Sequence, residues 1–195
     1  MNVQSLSDKE LINGYLKGNE KAFEVLLTRH KDKIYTSIYL FVKDHDLAED
    51  IFQEVFIKII DTLRRGKYNH EGKFLQWAMR ISYNLCVDYF RRSKRRTKVS
   101  PSETFDIFDV LEVKNDNMET TIIKDQTYTA IRNLVDKLPP EQREVVILRH
   151  YADMSFKEIA SLTRVSINTA LGRMRYALIN IRKMMEETGV KLHAY

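Results

Sequence analysis

Ser155-Phe156-Lys157-Glu158-Ile159-Ala160-Ser161-Leu162-Thr163-Arg164-Val165-Ser166-Ile167-Asn168-Thr169-Ala170-Leu171-Gly172-Arg173-Met174-Arg175-Tyr176-Ala177-Leu178 is the stretch that decides the fold. Ser155 with Glu158 three residues on is a capping box, so a helix opens at Phe156. Phe156, Ile159, Ala160 and Leu162 belong to that short helix. Arg164-Val165-Ser166 predicts a tight turn, and Ser166 caps a second helix whose packing residues are Ile167, Ala170, Met174, Ala177 and Leu178. Ala160 is small enough to let the two helices cross closely. Two such helices make either a helix-turn-helix, with the second helix offered to a major groove, or an ordinary helical hairpin. The outward positions of the second helix are Asn168, Thr169, Leu171, Gly172, Arg173, Arg175 and Tyr176. Asn suits adenine and Arg suits guanine, so this surface has the chemistry of base readout.

Outward from this stretch, nearly every readable element is again a helix. Ser7-Asp8-Lys9-Glu10 is a second capping box, ahead of Leu11, Ile12, Tyr15 and Leu16, and Gly18 ends that helix. Phe23, Leu26, Leu27, His30, Ile34, Ile38 and Phe41 recur at helical spacing. A helix opens at Asp46 and runs to about Leu63 by its apolar period. Arg64 to Lys73, with two glycines, reads as a loop, and a long helix follows from Phe74 to near Arg95. A further helix starts near Ile122 and is broken by Pro139-Pro140, and Glu141 opens the next. The last helix runs to near Glu187. No stretch reads as a strand.

Charge divides the chain. Its 195 residues carry 32 Lys+Arg against 27 Asp+Glu, net +5. Residues 1–96 hold 18 basic and 13 acidic groups, residues 97–126 hold 3 and 7, and residues 127–195 hold 11 and 7. Two basic blocks therefore flank an acidic middle that contains Ser100-Pro101-Ser102 and lacks a long apolar period. The expected organisation is all-α: a helical bundle over 1–96, an acidic linker over 97–121, and a helix-turn-helix domain over 122–195. The linker's Phe105, Ile107, Phe108, Val110 and Leu111 either dock on a basic neighbour or belong to a solvated tether. Six Gly and three Pro are too few for a sandwich, barrel or Rossmann domain, and the single Cys86 excludes an intramolecular disulfide and a multi-cysteine zinc site. No apolar run approaches the ~20 residues of a membrane span, and Met1 to Glu10 lacks a signal pattern.

Two more helices carry candidate function. Between Asp46 and Asp61, Leu47, Ile51, Val55 and Ile59 form a core stripe widened by Ala48, Phe52, Phe56 and Ile60. Asp50, Gln53, Glu54 and Ile57 share the opposite face. An aliphatic residue ringed by acidic and amide groups reads either as a protein-docking patch or as a solvated face with one exposed Ile. Between Phe74 and Arg95, Phe74, Trp77, Ala78, Ile81, Leu85 and Tyr89 form a buried stripe. Arg80, Asn84, Arg91 and Arg95 lie near one side, and Arg91-Arg92-Ser93-Lys94-Arg95-Arg96 adds five charges in six residues. Such a run suits phosphate, or is a solvated helix end favoured by the macrodipole. Aromatics beside it, with the loop Tyr68, Asn69 and His70 just upstream, suit stacking on unpaired bases.

Asp46-Leu47-Ala48-Glu49-Asp50-Ile51-Phe52-Gln53-Glu54-Val55-Phe56-Ile57-Lys58 closely resembles the polymerase-binding motif of bacterial sigma factors. Phe74, Trp77, Arg80-Ile81, Asn84, Asp88 and Tyr89, with the Arg run, resemble their promoter-melting segment. Leu138-Pro139-Pro140-Glu141-Gln142-Arg143-Glu144-Val145, followed by the helix-turn-helix, resembles their C-terminal domain. The chain's size resembles the extracytoplasmic-function group. The resemblance implies a cytoplasmic initiation factor. Its implied partners are core RNA polymerase (the β′ clamp helices and β flap), promoter DNA and an anti-sigma factor. It implies docking through Asp46, Glu49, Asp50, Gln53, Glu54 and Ile57. It implies −10 contacts and melting through Arg80, Asn84, Arg91, Arg92, Lys94, Arg95 and the loop Lys67 to Lys73. It implies −35 contacts through Ser166, Asn168, Thr169, Leu171, Gly172, Arg173, Arg175 and Tyr176. Two departures stand out: the usual turn glycine is Arg164, and the usual basic and small polar pair at the centre of readout is Leu171-Gly172.

The catalytic reading finds little support. His30, His45, His70, His150 and His193 lack metal-ligand spacing, and there is no Gly-rich phosphate loop. No cofactor, metal, catalytic residue, small-molecule substrate or membrane insertion is expected. A stand-alone helix-turn-helix regulator is the alternative, which leaves the acidic helix and the Arg-rich helix without a use.

Overall fold

The computed structural model describes residues 3–69, 72–96 and 133–188, which fall into two compact units. The linker expected over 97–121, the helix start near Ile122, and His70 lie outside these residues. Among the described residues there are helices and turns and no strand.

The first unit has four helices, α1 (Asp8–Leu16), α2 (Glu20–Val42), α3 (His45–Arg64) and α4 (Phe74–Arg96), after a 3-10 turn at Val3–Ser5. The capping box that opens α1 is formed: Ser7 Oγ accepts from the Glu10 amide, and the Glu10 carboxylate accepts from the Ser7 amide at 2.8 Å. Asn19 and Asp44 cap α2 and α3 in the same way. Gly18, at φ +93°, turns the chain between α1 and α2. α2 packs against α1, α3 and α4, and its Leu26, Ile34, Ile38, Leu40 and Phe41 are essentially inaccessible. Where α1 crosses α2, a Cβ on Gly14 would stand 3.2 Å from Ala22 Cβ, so a larger residue there requires the helices to give by a few tenths of an ångström.

A polar clasp closes the same contact. Asp8 accepts from Arg29 Nη1 at 2.6 Å, and its other oxygen lies 2.8 Å from His30 Nε2. Arg29 Nη2 also donates to the carbonyls of Gln4 and Leu6. Burial alone would raise the Asp8 carboxyl. The hydrogen bonds and charges of His30 and Arg29 outweigh it, and the group sits below the ordinary carboxylate value. The clasp thus contributes stability above that value and loses it as pH falls through the lowered one.

The second unit holds α5 (Pro140–His150), α6 (Phe156–Thr163) and α7 (Ile167–Thr188), preceded by a helical turn over 133–136. α5 starts at Pro140 rather than Glu141, because proline fits the first helical position, where no amide hydrogen is needed. Val135, Leu138, Val146 and Ala177 form one core cluster, with Met174, Ile181 and Met184 packed on it. Ala170 and Ala177 are fully buried and Ala160 nearly so. Arg149 fastens the α5–α6 turn: its Nη1 donates to the Met154 carbonyl at 2.7 Å and its guanidinium stacks on Phe156.

The helix-turn-helix forms as the sequence predicts. The Ser155–Glu158 capping box is present, and Ser166 Oγ accepts from the Thr169 amide at 3.0 Å. Arg164 takes the left-handed conformation, φ 59° and ψ 38°. Its amide and that of Val165 both donate to the Ala160 carbonyl. A side chain in this region costs about 1–2 kcal/mol. Glycine would relieve that cost and add about 0.5–1 kcal/mol of unfolded-state freedom. Arg164→Gly is therefore expected to stabilise the second unit by roughly 0.5–1 kcal/mol and raise its unfolding temperature by a few degrees. Scanning calorimetry checks this; a lower transition would mean that the arginine side chain outweighs its strained backbone.

Candidate docking and nucleic-acid faces

α3 presents two unlike faces. Ala48, Ile51, Val55, Phe56, Ile59 and Leu63 are buried. Asp46, Glu49, Asp50, Gln53, Glu54 and Ile57 are all exposed, and their spacing puts them on one side of the helix. Ile57 is 67% exposed at the C-terminal end of this group. Glu54 also meets Lys58 one turn later at 3.3 Å. That exposed i,i+4 pair is weak, so the carboxylate stays available to a stronger basic partner.

α4 follows its expected stripe for Phe74, Trp77, Ala78 and Leu85, and departs from it at Tyr89, which is 42% exposed while Phe90 is buried in its place. The physical reason is that α4 buries a broader side than one stripe: Leu75, Met79, Tyr83, Cys86 and Phe90 form a second buried row along the whole helix, and Tyr89 falls outside both rows at its end. Arg80, Asn84 and Arg92 are exposed, whereas Arg91 is half-buried with its Nη1 4.0 Å from Asp88 Oδ1. The side chains of Lys94 and Arg95 lie outside the described residues.

The aromatic loop ahead of α4 is packed rather than open. Tyr68 meets Trp77 edge-on at 4.6 Å and Phe74 at 6.3 Å between ring centroids, and Phe74 meets the His30 ring at 5.3 Å. Burial first, then the charge of Asp8, pushes the Tyr68 phenol up to about 12. Of the three loop residues read as a stacking surface, Tyr68 is half-buried, Asn69 is exposed, and His70 is outside the described residues.

On α7, Ser166, Asn168, Thr169, Leu171, Arg175 and Tyr176 are exposed and Gly172 is partly so. Asn168, Leu171, Gly172 and Arg175 fall at i, i+3, i+4 and i+7, a single face, turned away from the buried Ala170 and Ala177. The expectation that Ile167 and Leu178 pack inward is corrected: they are 45% and 52% exposed. Ala170 and Ala177 take the centre of the contact, and these two larger residues lie at its rim. A Cβ at Gly172 would meet nothing within 4 Å, so intramolecular packing does not require a glycine there.

Arg173 behaves differently from its neighbours. Its Nη1 lies 3.5 Å from Glu144 Oε2, with the two side chains 26% and 7% exposed. Two turns further on, Asn180 Nδ2 donates to Gln142 Oε1 at 2.8 Å. These two links join α7 to α5 on either side of Ala177 and fix the rotation of α7. The sequence held part of a signal for them: Arg173 and Asn180 are seven residues apart and so share one side of α7. Among the described residues no group of acidic, His and Cys side chains is placed to hold a metal ion, and no helix is long and apolar enough to cross a membrane.

The fold and these faces define a class: a two-unit helical protein with an acidic helix face that carries an exposed isoleucine in one unit and a helix-turn-helix in the other. Comparison with known proteins makes the class specific. The family described as Sigma-70 region 2 matches residues 26–96, and that described as Sigma-70, region 4 matches residues 128–175. The RNA polymerase sigma-H factor of Pseudomonas aeruginosa is 26% identical over 183 residues, 92% of this chain and 94% of that one. The ECF RNA polymerase sigma factor SigW of Bacillus subtilis is 26% identical over 92% of this chain and 97% of its own. CnrH, solved with the cytosolic domain of CnrY, shares the fold with a TM-score of 0.59 at 21% identity, over 92% of this chain and 97% of that one. The sigma factor RpoE of Bartonella quintana, solved with the anti-sigma factor NepR, shares it with a TM-score of 0.64 at 18% identity, over 85% and 98%. The chain belongs to the extracytoplasmic-function group of RNA polymerase sigma factors.

The Arg173 link makes a prediction that separates it from the exposed cations of the same helix. Arg173→Ala leaves the buried Glu144 carboxylate without this partner and is expected to lower the stability of the second unit by about 1–3 kcal/mol. Arg175→Ala, on an exposed side chain, is expected to stay within about 0.5 kcal/mol of the parent. Urea unfolding of both variants decides it; equal stabilities would mean that the Glu144 contact is incidental.

Proposed function

We propose that this sigma factor docks on core RNA polymerase through the exposed face of α3, holds and opens the −10 element with α4, and reads the −35 element with the first turns of α7. The observation that carries the reading is Ile57. It is 67% exposed on a helix whose other large aliphatic side chains are buried or half-buried, and Glu54, Asp50, Glu49 and Asp46 lie along the same side on the turns before it. A fully exposed aliphatic side chain gains about 1.5–3 kcal/mol when a partner covers it, and Asp46, Glu49, Asp50 and Glu54 select a basic partner and set its orientation. The β′ clamp helices are the proposed partner, with the β flap receiving the second unit. The chain performs no chemistry of its own in this scheme. It acts in the cytoplasm, where core polymerase and promoters are. The sigma factor RpoE of Bartonella quintana, which shares this fold, is held by the anti-sigma factor NepR, and CnrH by the cytosolic domain of CnrY, which supports an anti-sigma partner here.

Ile57→Asp tests the docking. The position is solvated in the free chain, so the fold should survive. In the complex the variant would set an unpaired carboxylate against an apolar surface, at a cost of several kcal/mol. The expected outcome is a helical protein by circular dichroism that no longer joins core polymerase in a pull-down. Core binding equal to the parent's would remove this face from the mechanism.

Opening the duplex costs a few kcal/mol for each base taken out of the stack, and the α4 face offers groups to offset it. Asn84 is exposed one turn from Arg80, so a guanidinium and an amide can meet a backbone phosphate and an unstacked base together. Asn84→Ala is expected to leave core binding intact and to reduce permanganate reactivity of promoter thymines several-fold. An undiminished footprint would exclude Asn84 from melting.

A further inference from the structure

The readout face of α7 has an unusual centre. Leu171 is 44% exposed. Beside it stands Gly172, a residue that weakens a helix interior relative to alanine. Nothing within 4 Å would obstruct a side chain there, so packing within the chain does not account for the glycine. On the same face, Asn168 and Arg175 are exposed and are held by no other described residue. Arg173, the next cation along the helix, is drawn towards Glu144 instead. The result is an aliphatic side chain and a bare stretch of backbone between an amide and a guanidinium.

A major groove offers one apolar feature to such a surface, the C5 methyl of thymine. Guanine and adenine edges present acceptors and donors that a leucine would strip of water without replacing. A glycine beside the leucine lets the helix backbone approach the base edges closely. From these observations we infer that Leu171, with Gly172 giving clearance, reads a thymine methyl at the centre of the −35 element, between polar contacts made by Asn168 and Arg175. The flanking polar residues favour a groove over a second apolar protein surface as the occupant of this face. The inference rests on the promoter-reading role proposed above, and names what that role selects.

The test uses holoenzyme assembled from the full chain and core polymerase, transcribing a promoter library randomised at −35. Each thymine of the selected element is then replaced singly by deoxyuridine, which removes only the methyl group. At one or two adjacent positions the replacement is expected to weaken holoenzyme binding roughly four-fold, the equivalent of one buried methyl. Leu171→Ala should bind the thymine and deoxyuridine promoters equally, while Arg175→Ala should keep the difference. Gly172→Ala should bind more weakly than the parent although its helix is no less stable by thermal melting. Selected elements without thymine, a parent protein indifferent to deoxyuridine at every position, or a Leu171→Ala protein that still discriminates would each overturn the methyl reading while leaving promoter use intact. A library that gives no transcript at all would overturn the promoter-reading role itself, and this inference with it.

Discussion

The burial of α2 sets the terms for the rest of the first unit. It is enclosed by α1, α3 and α4, and Ile34 and Ile38 have no accessible surface. With one helix at the centre, α3 satisfies the core with one stripe, whereas α4 buries a broader side that includes Leu75, Met79 and Tyr83. α3 spends Ile51, Val55 and Ile59 inward, and α4 spends Phe74, Ala78, Cys86 and Phe90. Their outer faces are then free of packing demands and can be chosen for a partner. The Asp8 clasp matters for the same reason: it locks α1 on α2 and brings His30 against Phe74, so the loop before α4 rests on the buried helix.

The second unit solves a smaller problem with small residues. Ala160 on α6 and Ala170 on α7 are small and buried, and Ala177 packs against Val135, Leu138 and Val146, so close approach leaves little side-chain volume to define how α7 is rotated. The polar links Glu144–Arg173 and Gln142–Asn180 supply that definition, since hydrogen bonds fix direction where apolar contact does not. Neighbouring side chains on a helix stand about 100° apart, so a rotation of α7 by that much would turn Thr169 and Tyr176 to where Asn168 and Arg175 now face.

Much of this was legible in the sequence because it rests on local rules. Both capping boxes, the Arg164 turn and the apolar stripe of α3 follow from spacing alone, and the exposed Ile57 follows from its place outside that stripe. The misreadings have physical causes of their own. The single stripe read through Leu85 to Tyr89 misses the second row of Leu75, Met79, Tyr83, Cys86 and Phe90, which takes the core at the end of α4 and leaves Tyr89 outside. Ile167 and Leu178 were placed inside because hydrophobic residues at the rim of a contact share the period of those at its centre. The Glu144–Arg173 link joins residues 29 positions apart, and periodicity holds no information about which buried acid meets which base. Tyr68 was read as open to stacking, but its aromatic neighbours on α4 enclose it, a tertiary fact with no local signal.

The charges on the two outer faces of the first unit are opposite in sign, and this decides what each can meet. Asp46, Glu49, Asp50 and Glu54 line α3, whereas Arg80 and Arg92 are exposed on α4, and the two helices pack against each other. A polyanion is repelled by the first face and drawn to the second. A basic protein surface experiences the reverse. Within the reach of screening, under ~10 Å at physiological salt, each face therefore discriminates by sign before any contact is made. Shape and hydrogen bonding act only afterwards. Ile57 fits this order: an apolar anchor adds affinity without regard to charge, so by itself it would accept many surfaces. With carboxylates on the turns before it, it favours a basic surface over a polyanion, whereas the arginines of α4 favour the reverse.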